Sequence, residues 1–212
     1  MKSLSWRLVT VFTFLSMSAS GQWRNLFNGK TLDGWDVVGD GVWTVMKDGT
    51  LLGQREPKAQ RQAWLYTKED FSEYDLELEF WTRLGGNSGI SIRDTSRGRF
   101  AVPPDYDRDR TPSHIGYEIQ ISNGYRDVYP TGSVYLFHKA ETGAQILNDW
   151  NRLEIQSRTE TIRVKLNGKQ VSEHPGDPAR SKTGPIGLQL HDVQSVVMFR
   201  NIRIRQATPG TR

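Results

Sequence analysis

Apolar residues recur at every second position through stretch after stretch of this chain, and no segment sustains a helical apolar stripe over three turns. A chain patterned this way folds as strands. Residues 41–53 (GVWTVMKDGTLLG) read as a hairpin around Asp48-Gly49, and residues 161–171 (TIRVKLNGKQV) as another around Asn167-Gly168, dipeptides that suit a type I′ turn. Further strands are expected at 74–83, 88–93, 116–122, 151–157, 186–191 and 196–205. Many short strands separated by turn signals predict an all-β, two-sheet antiparallel jelly-roll sandwich that buries its inner faces. Two stretches break the rhythm. Residues 97–113 (RGRFAVPPDYDRDRTPS), with Pro103-Pro104 and alternating charge, read as a long loop, which in a compact domain is usually functional or disordered. Residues 124–131 (GYRDVYPT) form a second, tyrosine-rich loop.

The first twenty residues carry a different pattern. Lys2 and Arg7 precede an apolar run of ten residues (LVTVFTFLSM), followed by Ser18, Ala19 and Ser20, the order of a secretory signal peptide. The run is shorter than the roughly 20 residues a membrane-spanning helix needs. The expectation is a signal peptide at 1–20, one domain at 21–212, and a periplasmic or secreted product. The chain has no cysteine, so its core must hold it without disulfides, and thiolate chemistry is excluded. Of 28 basic residues, Lys2 and Arg7 leave with the signal, so 26 face 24 acidic ones and the charge is +2 rather than +4. Charges are interspersed, which gives no nucleic-acid footprint and fits a weakly charged ligand.

Alternation also assigns faces. Ile90 and Ile92 point to the core, sending Ser91 and Arg93 the other way; Tyr117, Ile119 and Ile121 leave Glu118 and Gln120 outside; Ile186, Leu188 and Leu190 leave Gln189 and His191 outside. If these strands share a curved sheet, the six polar residues line one side of it. An ordinary solvated sheet face shows the same alternation, but Arg, Glu, His and two Gln supply the donors and acceptors a hydroxyl-rich ligand needs. Tyr135, between inward Val134 and Leu136, adds an aromatic plate.

Eight blocks, LFNGKTLDGW, GGNSGISIR, GYEIQI, TGSVY, DWNRLEI, LNGK, GPIGLQLH and FRNIRI, stand in an order that resembles the 3-keto-disaccharide hydrolase family, a concanavalin A-like jelly roll. The resemblance spans nearly all of residues 21–212. It implies an enzyme, a glycoside hydrolase in the broad sense, acting on disaccharides or glucosides whose C3 hydroxyl has become a ketone. A C3 ketone acidifies the proton on C2, and its removal lets the glycosidic oxygen leave C1. Such a reaction needs a base near C2, an electropositive group at the C3 oxygen, and help for the leaving group. His191, a residue type whose ordinary pKa lies near neutrality, is the candidate base; Arg93 is the candidate to stabilise the enolate or bind hydroxyls, and Glu118 the candidate to act as acid/base or to share a divalent metal with His191. Gln120, Gln189, Ser91 and Tyr135 are the expected substrate-binding residues. No cofactor is fixed by the sequence, which leaves a divalent metal ion open; the expected partner is a small sugar, for which a neighbouring sugar 3-oxidoreductase is one candidate source. The alternative is a non-catalytic, lectin-like binding module, since fold alone does not assign function.

Other signals are poorer. Glu118 has no carboxylate partner on its face, which disfavours the usual two-acid glycosidase. Glu77 and Glu79 read as decoration on a solvated strand, and Trp64 and Trp81, like the other tryptophans, as core first, with a groove edge as the alternative. Asp105, Asp107 and Asp109 lack the glycine and glutamate of a calcium loop. His114, His138 and His174 lack metal-ligand spacing.

Overall fold

The computed structural model describes residues 21–55, 62–124 and 127–207, so the expected signal peptide and part of the tyrosine-rich loop lie outside the described residues. The strands are β1 (Arg24–Asn25), β2 (Trp35–Val38), β3 (Gly41–Val45), β4 (Leu51–Arg55), β5 (Ala63–Thr67), β6 (Tyr74–Thr82), β7 (Asn87–Ile92), β8 (Tyr117–Ser122), β9 (Asn151–Arg158), β10 (Thr161–Leu166), β11 (Lys169–Pro175), β12 (Ile186–Leu190) and β13 (Val196–Gln206). They form two antiparallel sheets. One, of eight strands, runs β11-β10-β9-β6-β13-β4-β3 with β1 added on β13; the other, of five, runs β2-β5-β12-β7-β8.

The inner faces match the alternation. Leu76, Leu78, Phe80, Leu153, Ile155, Val164 and Phe199 of the larger sheet meet Leu65, Ile90, Ile92, Ile119, Ile121, Ile186 and Leu188 of the smaller in one core. Burial of each such side chain is worth about 1.5–3 kcal/mol. In β13 the apolar phase slips: Val197 and Phe199 face in, as do Ile202 and Ile204. A bulge between Arg200 and Arg203, with Asn201 at φ 54°, absorbs the extra residue. The 167–168 turn has both residues at positive φ, as a type I′ turn requires. The 48–49 turn does not, because only Gly49 is left-handed and the loop closes through Met46 and Thr50 instead.

On the outside of the larger sheet the expected solvated carboxylates are in fact covered by arginines. Asp75 pairs with Arg158 and Arg205, Glu77 with Arg152 and Arg203, and Glu79 with Arg200. Trp23 lies over Arg203 and Arg205, and Trp150 over Arg200.

The smaller sheet is roofed. Arg93, just past β7, has φ 60°, and this single left-handed residue reverses the alternation that put it outside. Its guanidinium passes between the sheets to Ser157 Oγ and the Arg158 carbonyl, while Asp94 takes the outer side. There Asp94 accepts from Ser96 N and Oγ, from Gly98 N, and from the Tyr66 hydroxyl at 2.8 Å. The chain from 94 to 116 is thereby folded back across the sheet, through 3-10 turns at Arg99–Ala101 and Arg108–Arg110 and the helical turn Pro112–Ile115. Ala101 and Val102 pack on Trp64 and Tyr66. The Tyr66 ring lies between Gly98 and Gly187, where a Cβ would come within 2.8 and 2.5 Å of it. Trp64 is therefore fully buried, as its reading as a core residue expects, and lines no groove edge.

Tyr66→Phe removes the phenol that satisfies Asp94 and leaves a buried carboxylate short of a donor. Urea denaturation is expected to show a loss of about 1–3 kcal/mol; unchanged stability would mean that the roof is held by other contacts.

Candidate active site

The roof covers only part of the smaller sheet. Beside it a cleft of about 210 Å³ remains, lined by Asn87, Glu118, Gln120 and His191 from the sheet and its ends, by Arg108, Thr111, Ser113 and His114 from the roof, and by Gln62, Tyr135 and Leu136. Pockets for drug-sized ligands usually start near 300 Å³, so this one suits a single small ring.

Glu118 forms the floor. Its neighbour across the β7–β8 pairing is Ser91, and the next residue on that face of β7 is Gly89. A Cβ at Gly89 would stand 2.6 Å from Glu118 Oε1, so the side chain lies flat in a space that only glycine leaves open. Glu118 is 4% exposed. Burial raises its pKa to about 8, with the nearby Gln189 amide pulling the other way. At neutral pH the carboxyl is mostly protonated and can donate.

His191 follows β12 at the rim. Its Nδ1 is 3.3 Å from Asp192 Oδ2, which orients the ring, and its side chain is 42% exposed. Gln120 donates to Asn87 Oδ1 at 3.1 Å. Tyr135 is set by its own backbone N–H, which donates to the Glu118 carbonyl at 2.8 Å, and its ring meets Tyr129 edge-on at 5.0 Å. Burial, then Glu118 and Tyr129, push its phenol pKa up.

Of the seven expected site residues, the fold brings Glu118, Gln120, His191 and Tyr135 to one cleft. It does not bring the others. Arg93 is wholly buried between the sheets, with Nε and Nη1 unpartnered and no path to the cleft, because the left-handed turn at that residue points it inward. Ser91 is sealed beneath Tyr66 at 3.2 Å. Gln189 lies on the predicted face but is fully buried, its amide without a hydrogen bond of good geometry, and it touches Glu118's charge rather than the open space. Leu136, expected in the core, is 40% exposed.

Several lining residues escaped the sequence reading. Asn87 sits on the same alternation as Ser91, one step before the expected strand start. Arg108, Thr111 and Ser113 belong to the 97–113 loop, read as functional or disordered, and His114 follows it directly, but nothing in the sequence gives their direction. Arg108 is the cleft's arginine in place of Arg93, and His114, with Nδ1 2.8 Å from Thr111 Oγ1, is a second imidazole. Among the described residues no three His, Asp or Glu side chains gather as a metal cage would need. Nor, among them, does a second carboxylate line the cleft.

The raised pKa has a consequence for stability. Between the ordinary carboxyl value of 4.5 and about 8 the folded protein holds a proton on Glu118 that the unfolded chain has lost. Stability from this group is full below 4.5 and falls as pH rises through 8, by at most about 1.4 kcal/mol per pH unit. Urea denaturation of wild type and Glu118→Gln across this window is expected to diverge, the variant losing less; parallel curves would contradict the buried, neutral carboxyl.

Comparison with known proteins agrees with this architecture. The sequence model of the 3-keto-alpha-glucoside-1,2-lyase-like domain matches residues 22–205. A Parabacteroides distasonis protein carrying the name of a glycosyl hydrolase is 26% identical, with a TM-score of 0.67 over 87% of this chain and 99% of that one. The beta-glucanase of Bacillus licheniformis (12% identity, TM-score 0.55, 88% and 98% covered) shares the jelly-roll fold. So does the carbohydrate binding module CBM66 of Bacillus subtilis (15%, 0.50, 82% and 96%). A search of curated proteins finds no match. No helix among the described residues is long and apolar enough to cross a membrane. The chain is a concanavalin A-like jelly roll and belongs to the 3-keto-alpha-glucoside-1,2-lyase-like family, whose function is carbohydrate-related and hydrolase-like.

Proposed function

We propose that the protein is exported and cleaves 3-keto-glucosides or 3-keto-disaccharides by elimination across C1 and C2, followed by addition of water. The observation that carries this reading is a ring-sized cleft whose one lining carboxyl, among the described residues, is held protonated at neutral pH and shares the space with an oriented imidazole. Retaining and inverting glycosidases need two carboxylates about 5–9.5 Å apart, and this cleft offers one. Pairs of groups whose environments separate their protonation states divide naturally into acid and base.

In this scheme the His191 imidazole takes the C2 proton, and the electron pair moves to the C3 oxygen as an enolate. Arg108 is the cationic side chain available to that oxygen, the role first expected of Arg93. Collapse of the enolate restores the C3 carbonyl, forms the C1=C2 bond and breaks the bond from C1 to the glycosidic oxygen, which takes the Glu118 proton. Water then adds its hydroxyl to C1 and its proton to C2. Gln120, Asn87 and Tyr135 hold the sugar hydroxyls and ring. A carbohydrate-binding role is the second reading, favoured by the likeness to CBM66 in fold.

The test is release of product from a 3-keto-glucoside and from its unoxidised parent, each with and without a chelator. Turnover of the ketosugar alone is expected, with Glu118→Gln and His191→Asn each slower by about 10²–10⁴-fold. Cleavage of the unoxidised sugar alone would overturn the mechanism, and tight binding without turnover would establish the binding module.

A further inference from the structure

Leu136 occupies a backbone position that leucine rarely takes. The segment from Thr131 to Tyr135 runs along the edge of β8, with Gly132 N donating to the Gln120 carbonyl and Tyr135 N to the Glu118 carbonyl. It then turns back sharply: Phe137 N and His138 N both donate to the Val134 carbonyl, at 3.0 and 2.8 Å. Leu136 is the third residue of that turn and has φ 70°. A turn with positive φ at this place is ordinarily given to glycine or asparagine, because a Cβ there crowds the backbone.

Packing does not account for the leucine. Its neighbour Phe137 makes the local contacts, under the Arg180 guanidinium at 4.6 Å, beside His174 at 5.0 Å and edge-on to Tyr117 at 5.6 Å. Leu136 itself is 40% exposed and lines the cleft. The roof lends the cleft Arg108, Thr111, Ser113 and His114, all polar, whereas the segment after Val134 lends it Leu136 and Tyr135, whose ring meets that of Tyr129. A strained residue whose side chain is not spent on the core, standing at a site, is best explained by what it meets there.

We propose that Leu136 is a specificity residue at the mouth of the cleft, packing against the leaving group and selecting glycosides with an aromatic or aliphatic aglycone over those whose leaving group is a second hexose. This rests on the reading of the cleft as the place where a glycosidic bond breaks. Leucine offers no hydrogen bond to a hexose and a good contact to an apolar surface.

The test compares wild type, Leu136→Gly and Leu136→Asn, both replacements accepting the left-handed turn, on a phenyl 3-keto-glucoside and on a 3-keto-disaccharide that releases glucose. Melting temperatures at or above wild type are expected, because strain is relieved. With them, kcat/KM for the phenyl substrate is expected to fall about tenfold, as for the loss of one small apolar contact, while that for the disaccharide changes less than twofold. Equal losses on both substrates, or none on the phenyl compound, would overturn the inference. Should neither substrate turn over in wild type, the catalytic reading itself fails. In that case binding of phenyl against methyl glucoside, followed by NMR, decides Leu136: a phenyl preference lost in Leu136→Gly supports the contact, and an unchanged preference ends it.

Discussion

The smaller sheet owes its shape to one carboxylate, Asp94, which gathers two backbone N–H groups, the Ser96 hydroxyl and the Tyr66 phenol on its two oxygens. The left-handed turn at Arg93 is what delivers Asp94 to that side. With Asp94 satisfied, the chain after β7 is committed to crossing the outer face of the sheet rather than leaving it. Trp64 and Tyr66 are buried beneath it, and the far end is tied down where Arg180 donates to the Ser113 and Gly116 carbonyls. The cleft is the part of the sheet that this roof leaves uncovered.

Desolvation of Glu118 follows from the same arrangement. A glutamate on an open sheet face would be solvated and charged. Here Gly89 lets the side chain lie against the sheet and the buried Gln189 amide closes one flank, so that only 4% of the residue is exposed. The result is a proton held at neutral pH beside a space that admits a small polar ring, with His191 and Arg108 on its walls. One held proton, one oriented imidazole and one cation make a set suited to elimination next to a carbonyl and poorly suited to two-carboxylate displacement.

Much of this was legible in the sequence because β7, β8 and β12, although buried on both faces, keep their large apolar residues on the inner face only. Period two placed Tyr117, Ile119 and Ile121 in the core, and therefore Glu118 and Gln120 outside it; the same logic carried His191 to the rim. It failed wherever tertiary contacts overrode alternation. Strand β5 (AWLYT) carries apolar residues on both faces, so it shows no alternation to find. Arg93 was misplaced by a single change of φ that accompanies the capture of Asp94 by Ser96 and Gly98, close along the chain, and by Tyr66, far from it. Ser91 and Gln189 do lie on the predicted face, but sequence could not reveal that the roof would cover them. For the same reason His114 looked like a stray histidine until the loop carrying it was seen to form the cleft wall.

The central claim is that the fold keeps a proton on Glu118 at neutral pH. Carbon-13 NMR of the Glu118 side-chain carboxyl, followed from pH 3 to pH 10, tests it without any substrate. The account requires a midpoint near 8; a midpoint close to the ordinary glutamate value of about 4.3 would contradict it.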